Sequence, residues 1–98
     1  LLYFGLKIIS KLIHTASQIG GGSPDNIAVN TAITIIYVIN SNNHTISVID
    51  GDTNTELKTI LLSSKGDAYE ISINPNNNSA YVTDLDRDTV SVIRQTNR

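Results

Sequence analysis

The stretch Asp84-Leu85-Asp86-Arg87-Asp88 sets three carboxylates at alternate positions, the spacing by which a short loop can surround a calcium ion. A calcium hand would continue with a glycine at the sixth place and a glutamate at the twelfth, but Thr89 and Gln95 stand there, and Arg87 brings positive charge into the loop. These residues are expected to form a solvated turn and not a metal site. His14 and His44 are the only histidines, and neither has a second histidine at ligand spacing. Both are expected to be exposed or structurally satisfied groups. Ser23, Ser47 and Ser91 lie outside any nucleophile-elbow context, and none has an assigned base. The chain has no cysteine, which excludes disulfides, zinc-thiolate sites and thiol nucleophiles while leaving the redox compartment open. No catalytic residue, metal ligand or cofactor-binding residue is therefore assigned. Asn43-His44-Thr45 and Asn77-Asn78-Ser79 meet the N-glycosylation pattern, making Asn43 and Asn77 the modification candidates if the chain is exported.

Seven basic residues against nine acidic ones leave a net charge of -2, and the basic ones are scattered from Lys7 to Arg98. Phosphate backbones are held by concentrated Lys and Arg, so a nucleic-acid partner is not expected.

The elements that position these residues repeat. Ile27-Ala28-Val29-Asn30 returns 44 residues later as Ile71-Ser72-Ile73-Asn74, Tyr37-Val38-Ile39-Asn40 as Tyr81-Val82-Thr83-Asp84, and Thr45-Ile46-Ser47-Val48-Ile49 as Thr89-Val90-Ser91-Val92-Ile93. Three matches in one register indicate an internal repeat, and a period of this size made of short β-branched runs fits one blade of a β-propeller. Ile, Val and Thr supply 31 of the 98 residues, which favours strands because a branched Cβ is confined in a helical turn and packs well on a pleat. The expected class is all-β: four-stranded antiparallel meanders with strands over 26–30, 35–40, 45–50 and 56–62. Asn42-Asn43 and Asp50-Gly51-Asp52-Thr53-Asn54 supply hairpin turns, as Asn74-Pro75-Asn76-Asn77-Asn78-Ser79 does in the second unit. Thr31-Ala32-Ile33-Thr34 lacks such turn formers, so that loop is expected to differ from its counterpart, with Ile33 covering a sheet end or touching a neighbour. Ile35-Ile36-Tyr37-Val38-Ile39 is apolar on both faces, as suits a strand covered on two sides. Tyr37 and Tyr81 are expected to be packing groups between blades. A β-sandwich with duplicated repeats is the alternative architecture.

Residues 1–25 are assigned to the end of a preceding blade and its connector, 26–69 to a complete blade with connector, and 70–98 to three strands of a further blade. Closure needs at least four blades, so the expected propeller is incomplete. Its partners are further blades, supplied by a longer parent chain or by identical subunits that lend the strand around Ile13 to the open blade ending at Ile93. The apolar run from Leu1 to Ile13 is too short and too charged to span a membrane; it is expected to be a strand of a preceding blade, with an upstream anchor stub as the alternative.

Ile27-Ala28-Val29-Asn30, Tyr37-Val38-Ile39-Asn40-Ser41, Thr45-Ile46-Ser47-Val48-Ile49-Asp50 and Gly21-Gly22-Ser23-Pro24 resemble the YVTN-type β-propeller repeat over about residues 11 to 94. Tyr81-Val82-Thr83-Asp84 departs from the name-giving signature at one residue, and Ser64-Lys65-Gly66-Asp67-Ala68 lacks the proline and glycine pair of the first connector. The resemblance implies a propeller of an exported or cell-surface protein, such as those of archaeal surface layers, with a structural or protein-binding role. It also implies a rival, part of a lactonase-like propeller enzyme; apart from the resemblance, the apolar run from Leu1 to Ile13 offers a third reading, an accessory subunit of a membrane-associated complex docked through that run.

Overall fold

The computed structural model describes residues 23–62 and 68–94, all of it strand and turn. Seven strands follow one another: β1 (Pro24–Asn30), β2 (Ile35–Asn40), β3 (Thr45–Asp50), β4 (Thr55–Leu61), β5 (Ala68–Asn74), β6 (Ser79–Asp84) and β7 (Thr89–Arg94). They form two antiparallel meanders, a four-stranded sheet in the order β1-β2-β3-β4 and a three-stranded sheet in the order β5-β6-β7. Each boundary of β5, β6 and β7 lies 44 residues after that of β1, β2 and β3. The expected strands are present, with β1 and β5 starting two residues earlier than the repeat alone suggests and β4 displaced by one residue. His14, Ile13, Gly21, Gly22, Gln95 and the apolar run at the start of the chain lie outside the described residues.

A local rule shapes four of the five hairpin turns; at the fifth, Asn40 Nδ2 donates instead to Thr45 and Ser47 and its Oδ1 has no partner. Strands β1, β2, β3, β5 and β6 each end on Asn or Asp, at Asn30, Asn40, Asp50, Asn74 and Asp84, and a four-residue turn follows each. The N–H groups of Ala32, Asp52 and Asn76 donate to the Oδ1 atoms of Asn30, Asp50 and Asn74 at 3.0, 2.8 and 3.0 Å, and Arg87 N–H donates to Asp84 Oδ1 at 3.2 Å. A short polar side chain that bonds its own backbone two or three residues on mimics a turn and ends the strand. The last residue of each turn has a positive φ, at Thr34, His44, Asn54, Asn78 and Asp88. This corrects the expectation for 31–34: Thr34 at φ 56° repeats Asn78 at φ 58°, and Asn30 repeats the contact made by Asn74. The turn is specified by the strand residue before it, so the loop needs no turn formers of its own. Ile33 packs against the core.

Cross-strand pairing sorts the side chains into faces. In the first sheet Ala28, Tyr37, Val48 and Lys58 lie in one row, with Ile39, Ile46 and Ile60 in the next. Ile27 and Val38 share the opposite face, as do Val29, Ile36 and Ile49. In the second sheet Ile71 and Val82 share one face with Ile73, Ala80 and Ile93, while Tyr81 and Val92 share the other with Thr83 and Val90. The core is one cluster drawn from both sheets: Ile35, Tyr37, Ile39, Ile46 and Val48 from the first, Ala68, Ala80 and Val82 from the second, flanked by Ile60, Ile71, Ile73 and Ile93. The Tyr37 face of the first sheet thus lies on the Val82 face of the second, with β5 against β1 and β2. Removing Ile35, Ile39 and Ile46 from water contributes roughly 1.5–3 kcal/mol each.

Candidate functional site

The stacking uses non-equivalent faces. Tyr37 and Tyr81 occupy the same place in the repeat, yet Tyr37 is wholly buried between the sheets and Tyr81 is half-buried on the far side of the second sheet. Ile46 and Val48, also in the core, correspond to Val90 and Val92, which are 58% and 56% exposed. Conversely Ile71 and Ile73, packed against the core, correspond to Ile27 and Val29, which are 62% and 49% exposed on the outer face of the first sheet. Exposed apolar residues therefore stand on both outer sides, Val90 and Val92 on β7 of the second sheet and Ile27 and Val29 on β1 of the first, where Asn40, Thr45 and Ser47 are buried. A depression of about 320 Å³ lined by Pro24, Asp25, Asn26, Ile27 and Val38 lies on one. Another of about 390 Å³, lined by Glu70, Ile71, Ser72, Tyr81, Thr83 and Val90, lies on the other. Val38 itself is buried, so the accessible part of the first outer face is its β1 side.

Two side-chain amides join the sheets. Asn30 Nδ2 donates to Asn78 Oδ1 at 3.1 Å, and Asn26 Nδ2 donates to the carbonyl oxygen of Tyr69 at 3.2 Å. Burial pushes the Tyr37 hydroxyl above its ordinary pKa of 10.0, and its oxygen has no hydrogen-bond partner. No family model, curated protein or solved structure matches the chain.

The residues with chemical potential are dispersed. Asp84 is buried with its carboxylate turned onto Arg87 N–H of its own turn, while Asp86 and Asp88 are exposed. Among the described residues no three His, Cys, Asp or Glu side chains gather where they could hold a metal ion. His44 is half-buried at the end of the 41–44 turn, with Nδ1 buried and without a partner. Ser47 is buried in β3 and its Oγ accepts from Asn40 Nδ2 at 2.9 Å, an arrangement that holds a strand pair together and offers no base. Ser23 accepts from Asn42 Nδ2 at the edge of the first sheet, and Ser91 is half-buried in β7. Asn43 and Asn77 are exposed in turns, whereas the hydroxyl residues of their acceptor patterns, Thr45 and Ser79, are buried in strands. Thr45 Oγ1 accepts from Asn40 Nδ2 at 3.1 Å and Ser79 Oγ from Arg94 Nε at 3.0 Å.

The connecting amides are not legible from the sequence: Asn30 has the local pattern of a strand residue and Asn26 that of a strand start, although each bonds the next unit. The signal was available in part, since Asn or Asp recurs at 30, 40 and 50 and again at 74 and 84. That spacing marks turns; nothing local in it shows that Asn30 also reaches Asn78.

Proposed function

We propose that the chain is a structural or protein-interaction segment of a YVTN-type β-propeller, in an exported or cell-surface protein. The observation that carries the interaction role is the exposure of Ile27, Val29, Val90 and Val92: each stands in water at a position that packs in or against the core in the other repeat unit, and clustered exposed apolar residues mark interaction surfaces. The repeat register and the stacking of unlike faces support the propeller reading, because blades arranged about an axis meet in that head-to-tail manner. The setting rests on the resemblance of Tyr37-Val38-Ile39-Asn40 and its companion phrases.

Hydroxyl-radical footprinting of the protein in its native source tests this reading. Ile27, Val29, Val90 and Val92 are expected to be protected there relative to Leu85, an exposed turn residue. Equal labelling of all five would remove the interaction role. Mass analysis of the same material reports whether Asn43 and Asn77 carry glycans, and cell fractionation tests the surface setting.

A further inference from the structure

We propose that the outer face of the second sheet is the seat of one further repeat of the same polypeptide, with Asn74 as the residue that fastens it. This rests on the interaction reading above and names its partner. The interface inside the molecule is the template. There the face that carries Tyr37, Ile46 and Val48 meets the face that carries Ile71, Ile73 and Val82, and Asn30 Nδ2 ties the two sheets by donating to Asn78 Oδ1 at 3.1 Å. One repeat on, Tyr81, Val90 and Val92 take the places of Tyr37, Ile46 and Val48, and both valines stand in water. Asn74 takes the place of Asn30. Its Oδ1 accepts Asn76 N–H at 3.0 Å, as Asn30 Oδ1 accepts Ala32 N–H, but its Nδ2 donates to no described residue. The amide donor that joins one repeat to the next is thus present a second time, half-buried on the same kind of face. A second copy has no matching face to offer. Its Ile71, Ile73 and Val82 lie on its own first sheet, and the corresponding face of that first sheet is buried at Val38 and Ser47. The occupant is therefore a repeat beyond these two, and consecutive repeats of one polypeptide already meet in this way inside the molecule.

The substitutions on this face state what the occupant offers. Ser79 and Thr83 stand where the first sheet has Ile35 and Ile39, so covering this face removes less apolar surface from water and the junction is weaker than the internal one. Within the molecule Asn26 Nδ2 donates to the Tyr69 carbonyl. One repeat on, Glu70 stands in place of Asn26, and a carboxylate has no proton to donate. The occupant accordingly presents branched aliphatic side chains toward Tyr81, Val90 and Val92, an Asn or Asp oxygen toward Asn74 at the place of Asn78, and a donor toward Glu70.

Two experiments test the proposal. Sequencing the source polypeptide by mass spectrometry should find a repeat after Arg98 in the same 44-residue register, with aliphatic residues at the places of Ile71, Ile73 and Val82 and Asn or Asp at the place of Asn78. A source polypeptide without that repeat overturns the proposal. The second experiment lengthens the chain by joining residues 55–98 again after Arg98, which continues the register and supplies a second set of Ile71, Ile73, Val82 and Asn78. The added unit carries Val90→Thr and Val92→Thr, so that its peptides differ in mass from the originals. Hydroxyl-radical labelling of the original Val90 and Val92 should fall several-fold on lengthening, while Ile27, on the far side of the first sheet, should label alike in both chains. The lengthened chain should also unfold at a higher urea midpoint, since it gains a neighbour interface. In the original unit Asn74→Asp keeps the acceptor for Asn76 N–H and removes the donor, so it should lower the midpoint of the lengthened chain without lowering that of the original. Glu70→Asn restores the donor that Asn26 supplies and should raise the midpoint of the lengthened chain. Far-UV circular dichroism establishes that each chain retains its strands; should the lengthened chain fail to fold, the source sequence decides. A folded lengthened chain with Val90 and Val92 labelled as before, or one indifferent to Asn74→Asp, overturns the proposal. If the native footprint shows Val90 and Val92 protected while no further repeat exists, the occupant is another protein and the interaction role stands; if it shows no protection, both fail.

Discussion

Asn30 and Asn78 are joined across the two sheets by a side-chain hydrogen bond of 3.1 Å, although 48 residues separate them. Asn30 is wholly buried, and its other amide atom, Oδ1, already holds Ala32 N–H. One side chain thus closes a turn in its own repeat and fastens the next. Asn30→Ala should destabilise the chain by about 1–3 kcal/mol, because it removes both bonds and leaves partners in part-buried surroundings. Asn78→Gly keeps the positive φ and removes the acceptor. A double-mutant cycle on denaturant midpoints should give a coupling of about 0.5–1.5 kcal/mol, and additive effects would show that the bond contributes nothing.

Tyr37 has a hydroxyl that burial deprives of partners. Tyr37→Phe should leave stability at neutral pH unchanged or raise it by about 1 kcal/mol, since the buried oxygen has no bond to lose. Tyr37→Ala should cost about 3–5 kcal/mol through the lost ring.

The same tyrosine sets an alkaline limit. Its folded pKa lies above the ordinary 10.0, so the folded chain keeps the proton where the unfolded chain begins to lose it. Its contribution is fully present below pH 10.0 and declines as pH rises from there through the higher folded value. Unfolding midpoints followed from neutral to alkaline pH should fall less steeply in Tyr37→Phe than in wild type.

Equivalent positions should respond unequally. Ile46 is fully buried between the sheets and its repeat partner Val90 is mostly exposed. Ile46→Ala should lose about 2–5 kcal/mol in chemical denaturation of the monomer. Val90→Ala should stay within about 0.5 kcal/mol. Comparable losses at both would mean that the outer face of the second sheet is covered within the chain.

Thr34 and Gly51 test the close approach of two turns. A Cβ on Gly51 would come within 2.8 Å of Thr34 Cγ2 and 2.9 Å of its carbonyl oxygen, the atom to which Gly51 N–H donates. Gly51→Ala should cost about 1–3 kcal/mol, read as a lowered Tm. Thr34 is a β-branched residue at φ 56°, and Thr34→Asn, copying Asn78, should raise stability by up to about 1 kcal/mol.

The strands were legible because their causes are local. Alternating β-branched residues and an Asn or Asp at the end of β1, β2, β3, β5 and β6 set where the chain extends and where it turns, and the 44-residue register carried over to each strand boundary the two sheets share. Residues 31–34 mislead for a related reason: the loop's own composition holds no turn former, and the group that shapes the turn, Asn30, precedes it. Burial was beyond local reading. Tyr37 and Tyr81 have the same identity, the same phrase around them and the same place in a strand, yet one is core and one lies at the surface. What separates them is the order of stacking: each sheet has two apolar faces, and the second sheet covers only one face of the first. A side chain's exposure depends on which neighbour its face meets, and that is a property of the packed molecule, decided by contacts such as Asn30 to Asn78 that join residues far apart in the chain.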